Sequence, residues 1–139
     1  MARRRPTSAL VSAEIGGERV LMDMTEGLFH GACQGDQWIG VMKFELEDAH
    51  FWPDVLPGAS AFRHKLAVRR NWAKKGVSTE LLWYARVRAQ RLGRTHLRLD
   101  CVAERQGLRK LYEDVGVSLH RVVRIGTCAY ARYELRTST

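Results

Sequence analysis

Cysteine is scarce and badly placed for cross-linking: Cys33, Cys101 and Cys128 are the only three in 139 residues. Their number is odd, their spacing is wide and no CxxC pair exists, which argues against a disulfide framework or a zinc site. Cys33 and Cys101 sit in apolar, strand-like stretches and read as buried, inert thiols. Long apolar runs are missing too. Nothing approaches the ~20 residues that span a bilayer, so no membrane role and no bound metal are expected. The basic start Met1-Ala2-Arg3-Arg4-Arg5-Pro6 has no apolar segment after it, so no secretory leader is expected and the cytoplasm is the default location. Acidic residues also run short: 15 Asp and Glu face 23 Lys and Arg, a formal net charge of +8. Such a chain attracts polyanions, whether nucleic acid or a phosphate-rich cofactor, and charge alone does not choose between them.

What is present is an ordinary globular composition, 45% apolar and 27% charged, long enough for one domain with its own core. We expect a single domain over 1–139, with 1–27 a divergent lead segment and 28–139 the core. In the lead segment, Gly16-Gly17 interrupts what would otherwise be a helical stretch from Ser12 to Met24. Leu28–Cys33 and Trp38–Leu46 read as strands joined by the turn Gln34-Gly35-Asp36-Gln37. Glu47–Ser60, with Asp48, Pro53, Pro57 and Gly58, reads as a loop. Its aromatic pair Phe51-Trp52 either pins the loop to the core or lines a pocket. Ala61–Val68 reads as a central strand with His64 on one face. From Gly76 the period becomes helical through Val77, Leu81, Leu82, Ala85, Ala89 and Leu92, and Gly93 stops it. A strand over Thr95–Cys101, a helix from about Arg105 to Asp114, and strands over Val117–Ile125 and Ala129–Leu135 complete the chain. The pattern predicts an α/β fold with a mixed sheet, a central βαβ unit and helices on its faces.

The junction Asn71-Trp72-Ala73-Lys74-Lys75-Gly76-Val77-Ser78-Thr79 carries the clearest chemistry. A strand ends, a basic turn follows, and a helix begins. Helix N-termini present unpaired N–H groups and partial positive charge, which suit phosphate. Gly76 leaves the backbone open, Ser78 and Thr79 can donate, and Lys74 and Lys75 add charge. A pyrophosphate cradle and an ordinary basic surface turn both fit these residues.

The stretch HKLAVRRNWAKKGVSTELLWYA, followed by LGRTHLRLDC and LRKLYEDVGV, resembles the core of the GNAT superfamily of N-acetyltransferases over His64–Gly116. The closing TCAYARYEL resembles the final strand of one GNAT subgroup. The resemblance implies a GNAT-type, mostly antiparallel mixed sheet with helices on both faces, and acetyl-CoA as cofactor. It implies that the backbone of Leu66, Ala67 and Val68 pairs with the pantetheine arm. It implies further that amides from Lys74, Lys75, Gly76, Val77, Ser78 and Thr79 hold the pyrophosphate. Two positions depart from the family pattern, with Ala73 where Arg or Gln is usual and Ser78 where Gly or Ala is usual. Lys74, Lys75 or Arg70 can compensate for the first.

Tyr112 matches the family tyrosine that protonates the departing thiolate, a suitable task for a phenol of pKa near 10; Arg105 stands at the helix's usual early Asn. Half-buried packing on the Leu108/Leu111 stripe is the plainer role for this tyrosine. His64, with an unperturbed pKa of ~6.5, and Glu45 are candidates to take the amine's proton, as is Glu47 through water. His64 can equally be structural. Asp100 reads only as a strand end. The implied reaction is direct transfer of acetyl to a small-molecule or peptide amine, with a net charge that favours acidic or neutral acceptors over polycations. The short lead segment matches poorly the two helices that wall the family's acceptor site, so an open acceptor side or a second subunit is expected. A homodimer through the C-terminal strands follows from their edge position. The alternative is a non-catalytic module of the same fold that binds CoA or nucleic acid through its basic surface.

Overall fold

Period-two burial marks the strands most plainly in the segment His96–Val102, which buries Leu97, Leu99 and Cys101 and leaves the residues between them half-buried. The computed structural model describes residues 11–15, 19–25 and 29–138. In chain order the elements are β1 (Val11–Ile15), β2 (Arg19–Thr25), β3 (Phe29–Gln34), β4 (Gln37–Glu45), β5 (Ser60–Val68), α1 (Val77–Arg91), β6 (His96–Val102), α2 (Gln106–Asp114), β7 (Ser118–Ile125) and β8 (Cys128–Arg136). Two compact units emerge. One comprises Met1–Phe44 with Lys65–Tyr84, the other Glu45–His64 with Ala85–Thr139, so β5 and α1 each run through both.

The first unit is a meander, β1-β2-β3-β4, every pair antiparallel. The stretch from Ser12 to Met24, whose helical pattern Gly16-Gly17 interrupts in the sequence, contributes to the β1/β2 pair, with Ile15 opposite Arg19 and Val11 opposite Met22. Strand pairing, rather than a helix, satisfies those backbone groups, and β2 then pairs along β3. Residues 16–18, which hold the Gly16-Gly17 break, lie outside the described residues. The β3/β4 hairpin closes with Gln34 opposite Gln37, where the turn was expected. Gly40 seats the start of α1 on β4: a Cβ there would come within 2.7 Å of Val77 Cγ1. Val77, Leu81 and Leu82 are buried, and His30 Nδ1 meets Tyr84 Oη at 2.7 Å beneath the helix.

The second unit has the order β5-β6-β8-β7. β5 and β6 run parallel, from Ser60 opposite His96 to Arg63 opposite Leu99, while β6/β8 and β7/β8 are antiparallel. Parallel neighbours require a crossover, and α1 provides it. Leu97, Leu99, Ala131 and Tyr133 form a core face, with Tyr112 of α2 edge-on to Tyr133. Cys33 and Cys101 are buried as free thiols, as expected. Leu92, expected on the buried stripe, is 46% exposed because α1 has already ended at Arg91.

The loop between β4 and β5 is pinned by Trp52, which is 1% exposed. Its ring lies under the guanidinium groups of Arg132, at 4.4 Å, and Arg98, at 4.9 Å. Arg132, itself buried, reaches both oxygens of Asp54 at 2.8 and 3.1 Å. That hydrogen bonding, partly opposed by burial, lowers the Asp54 pKa to about 2.

Candidate functional site

In the first unit, β5 ends at Val68 and the chain makes a short 3-10 helix, Arg70–Trp72, before α1 starts at Val77. The exit from β5 is tied to β4: the Arg69 N–H donates to the Ile39 carbonyl at 2.9 Å, and the Arg69 side chain donates to the Trp38 carbonyl. Lys74 adopts φ 62° and Gly76 φ 87°, both left-handed. Left-handed residues thus stand on either side of Lys75 in the turn that leads into α1. For Gly76 that conformation carries no steric cost. For Lys74 it costs about 1–2 kcal/mol. The Glu80 N–H is satisfied by the Gly76 carbonyl at 3.0 Å, while the amides of Val77, Ser78 and Thr79 have no acceptor within the helix. Lys74, Lys75 and Gly76 are exposed, Ser78 and Thr79 half-buried and Val77 buried. The Lys75 ammonium lies 5.4 Å from the Trp72 ring. A bound anion would meet a helix N-terminus and two exposed lysines, so the residues present fit a pyrophosphate. Leu66 and Val68 are half-buried and Ala67 exposed.

The second unit brings together residues that sequence reasoning kept apart. His64 Nδ1 lies 2.7 Å from Asp100 Oδ2, and its Nε2 faces Asp48 Oδ2 at 3.1 Å and Glu45 Oε1 at 3.8 Å. The side chains of His64, Asp48 and Asp100 are 9%, 6% and 9% exposed. Burial pulls the His64 pKa down. The Asp100 hydrogen bond and the charges of Asp100, Asp48 and Glu45 more than offset this, leaving it raised above 6.5. Asp48, His64 and Asp100 each offer a donor atom within 4.8 Å of the others, the spacing a metal ion would need. The Asp100 hydrogen bond leaves only Nε2 of His64 for such a role. Asp48 is fixed by its other oxygen, which accepts from the N–H groups of His50 at 3.0 Å and Phe51 at 2.9 Å in an Asx turn.

Asp100 and Asp48 escaped sequence reasoning for different reasons. Asp100 stands as far past His96 as His64 stands past Ser60, and Ser60 pairs with His96. The equal offsets would have placed the two side by side, but only once the parallel register was known. Asp48 looks like a turn residue because it is one, and nothing local shows that its second oxygen turns to a histidine sixteen positions on.

Tyr112 is 2% exposed on α2 and receives a hydrogen bond from Arg63 Nη2 at 2.5 Å. Burial raises its pKa, and the Arg63 charge acts the other way. Arg63 is also 2% exposed, and its Nη1 has no hydrogen-bond partner among the described residues. Glu47 is exposed in the loop.

A mixed, mostly antiparallel sheet with a parallel βαβ step and a basic, left-handed turn at a helix head defines an α/β protein whose candidate site suits a phosphate-bearing ligand. The chain matches the sequence profile of the acetyltransferase (GNAT) family over residues 5–117, and it belongs to that family. It is 33% identical over 69 residues to the uncharacterized N-acetyltransferase YesJ of Bacillus subtilis (strain 168), a match spanning 50% of this chain and 38% of that relative. Among solved structures it is similar to Ard1 from Thermoplasma volcanium, with a TM-score of 0.67 and 10% identity, covering 83% of this chain and 74% of that one. It is likewise similar to a GNAT-family protein from Desulfovibrio desulfuricans, with a TM-score of 0.65 and 18% identity, covering 79% and 69%. A third, yncA of Salmonella typhimurium, was solved with its cofactor acetyl-CoA and gives a TM-score of 0.63 at 13% identity over 79% and 64%. At such identities these three likenesses are of fold. No helix among the described residues is long and apolar enough to cross a membrane.

Proposed function

We propose that this protein is an N-acetyltransferase that moves acetyl from acetyl-CoA to a primary amine by direct transfer. The observation that carries this reading is the basic, left-handed Lys74–Gly76 turn at the head of α1, at the positions where the resemblance to the family implies a pyrophosphate cradle. Acetyl-CoA is the family's acyl donor, and it supplies a thioester whose acyl carbon accepts an amine and whose sulfur leaves. The chain's own residues divide the remaining work. The amides of Lys74 to Thr79 hold the pyrophosphate, and the backbone of Leu66, Ala67 and Val68 aligns the pantetheine arm. His64, through Nε2, takes the proton of the incoming ammonium, and Glu45 assists from the same side. Tyr112 holds a proton at Oη for the leaving sulfur. Because Arg63 donates to that oxygen, the phenolic hydrogen is left free to be given away. Three free thiols suit a reducing, cytoplasmic setting.

The test follows free thiol release with acetyl-CoA and a panel of amines. Replacing both Lys74 and Lys75 by Glu should weaken acetyl-CoA binding about tenfold or more, since each lysine meets a multiply charged group. Tyr112→Phe should lower kcat with little change in the Kd of acetyl-CoA. Acetyl-CoA that binds the double Glu variant as tightly as wild type would refute the cradle. A kcat untouched by Tyr112→Phe would remove the tyrosine's role.

A further inference from the structure

Arg63 stands on β5 opposite Leu99 of β6, and its side chain is buried in the second unit. A guanidinium keeps its charge in a protein, and burying one is costly unless an anion offsets the lost water. Among the described residues no carboxylate forms an ion pair with Arg63, and the Asp100 carboxylate beside Leu99 is turned to His64 at 2.7 Å. Its one side-chain hydrogen bond runs from Nη2 to Tyr112 Oη at 2.5 Å, and the guanidinium lies 5.3 Å from that ring. Nη1 is buried without a partner. The charge is therefore held against a phenol, and it stays unbalanced while the phenol keeps its proton. Tyr112 is fixed in turn, its ring 5.3 Å from Tyr133 and its carbonyl accepting from the Val117 N–H at 2.9 Å. Tyr133 Oη is already engaged, donating to Glu113 at 2.6 Å and accepting from Arg109 at 3.0 Å. Burial pushes the Tyr112 phenol up. The Arg63 charge and hydrogen bond oppose this, while Cys101 and Asp100 of β6 add to it.

We infer that Arg63 sets the acidity of Tyr112, its buried guanidinium stabilising the phenolate left at Oη when the proton passes to the departing sulfur. The inference rests on the acetyltransferase reading above and deepens it at the tyrosine. As the C–S bond of the tetrahedral adduct breaks, its electron pair goes to sulfur, and the sulfur takes the Oη proton. The O–H electron pair stays on Oη. Nη2 then donates to an anion, a charge-assisted bond stronger than the one it replaces. Water returns a proton to Oη once the thiol has left. Thiols ionise near ~8.5 and phenols near ~10, so burial alone would widen a mismatch that already disfavours the transfer. Arg63 narrows it. Arg63 is thus a positioning residue that acts through Tyr112.

Fluorine NMR of the protein labelled with difluorotyrosine, a more acidic phenol, reads the ionisation directly, and Tyr112→Phe identifies the signal by removing it. Arg63→Met should raise the Tyr112 midpoint by about one pH unit or more. Arg63→Lys, which keeps the charge, should raise it less. Arg63→Gln, neutral but polar, replaces the Met variant if that chain does not fold. In thiol release with acetyl-CoA, Arg63→Met should lower kcat about threefold or more and leave the KM for acetyl-CoA little changed. In a Tyr112→Phe background it should cause no further loss. A Tyr112 midpoint that the neutral variant leaves in place, or an equal loss of kcat with and without the tyrosine, would overturn the assignment. The two readings fail separately. A protein that acetyl-CoA does not stabilise and that releases no thiol loses the enzyme reading, while the NMR midpoint still decides whether Arg63 sets the acidity of the phenol.

Discussion

His64 is held at both ring nitrogens by carboxylates, and this fixes how its charge depends on pH. Its pKa is raised in the folded protein because Asp100, Asp48 and Glu45 outweigh the cost of burial. Below about pH 6.5 the imidazole is protonated both folded and unfolded, and the folded form gains the full attraction. As pH climbs through the raised native value the proton leaves and that contribution is lost. The Tm gap between wild type and His64→Gln should therefore be widest below pH 6.5 and narrow as pH rises, by scanning calorimetry across pH 5 to 9. A gap that widens with pH would mean the histidine is held neutral. The same titration gates its proposed work as a base, because Nε2 can accept a proton only once it has lost its own. The rate kcat/KM should thus climb through a midpoint above 6.5, and Asp100→Asn should move that midpoint down.

At the scale of elements, the link from sequence to cofactor runs through the contact between β4 and α1. Gly40 leaves room for Val77, and a methyl group placed there would press within 2.7 Å of that side chain and 3.2 Å of Leu81 Cδ1. Val77 is buried and opens the helix whose first amides face the proposed pyrophosphate. Gly40→Ala should cost about 1–3 kcal/mol of stability through overpacking and should weaken CoA binding by displacing the helix head. Adding Val77→Ala should restore a good part of both, as read by thermal unfolding and CoA titration. A double variant no better than Gly40→Ala would show that the helix head is positioned by other contacts. Both elements were legible in the sequence, α1 by its Val77, Leu81, Leu82, Ala85, Ala89 stripe and β4 by its apolar run. Their contact was not legible, because a glycine inside a strand says only that something comes close. The β1/β2 pair was hidden for another reason. Two short runs beside Gly16-Gly17 carry little period of their own, and their strand character comes from pairing with each other and, for β2, along β3. The aromatic pair in the β4–β5 loop admitted two readings, and Trp52 fulfils both, pinning the loop and lining a cavity.

On the scale of the whole molecule, net charge averages over a surface, while the cluster around His64 is locally acidic. Edge exposure says more about assembly. β7 closes the order of its sheet, most of its residues are exposed, and Leu119 and Val122 are 43% and 46% exposed. An uncovered edge strand with unpaired backbone groups and apolar side chains is a template for pairing. Charges can blunt such an edge, and β7 carries Arg121 and Arg124, but Arg121 is drawn to Asp54 at 3.5 Å. We therefore expect a homodimer that pairs through β7. Light scattering on the size-exclusion peak should give twice the chain mass, and Leu119→Glu should shift it to the monomer. Because Leu119 already faces water in the single chain, that substitution should leave the Tm of the monomer nearly unchanged. Thiol release measured on the same sample then separates two roles for the partner. If the monomeric variant keeps its kcat, each chain carries a whole acceptor site. If it loses kcat while still binding CoA, the second subunit supplies the acceptor wall that the short lead segment was expected to leave open. A wild-type chain that elutes only as a monomer would refute the dimer outright.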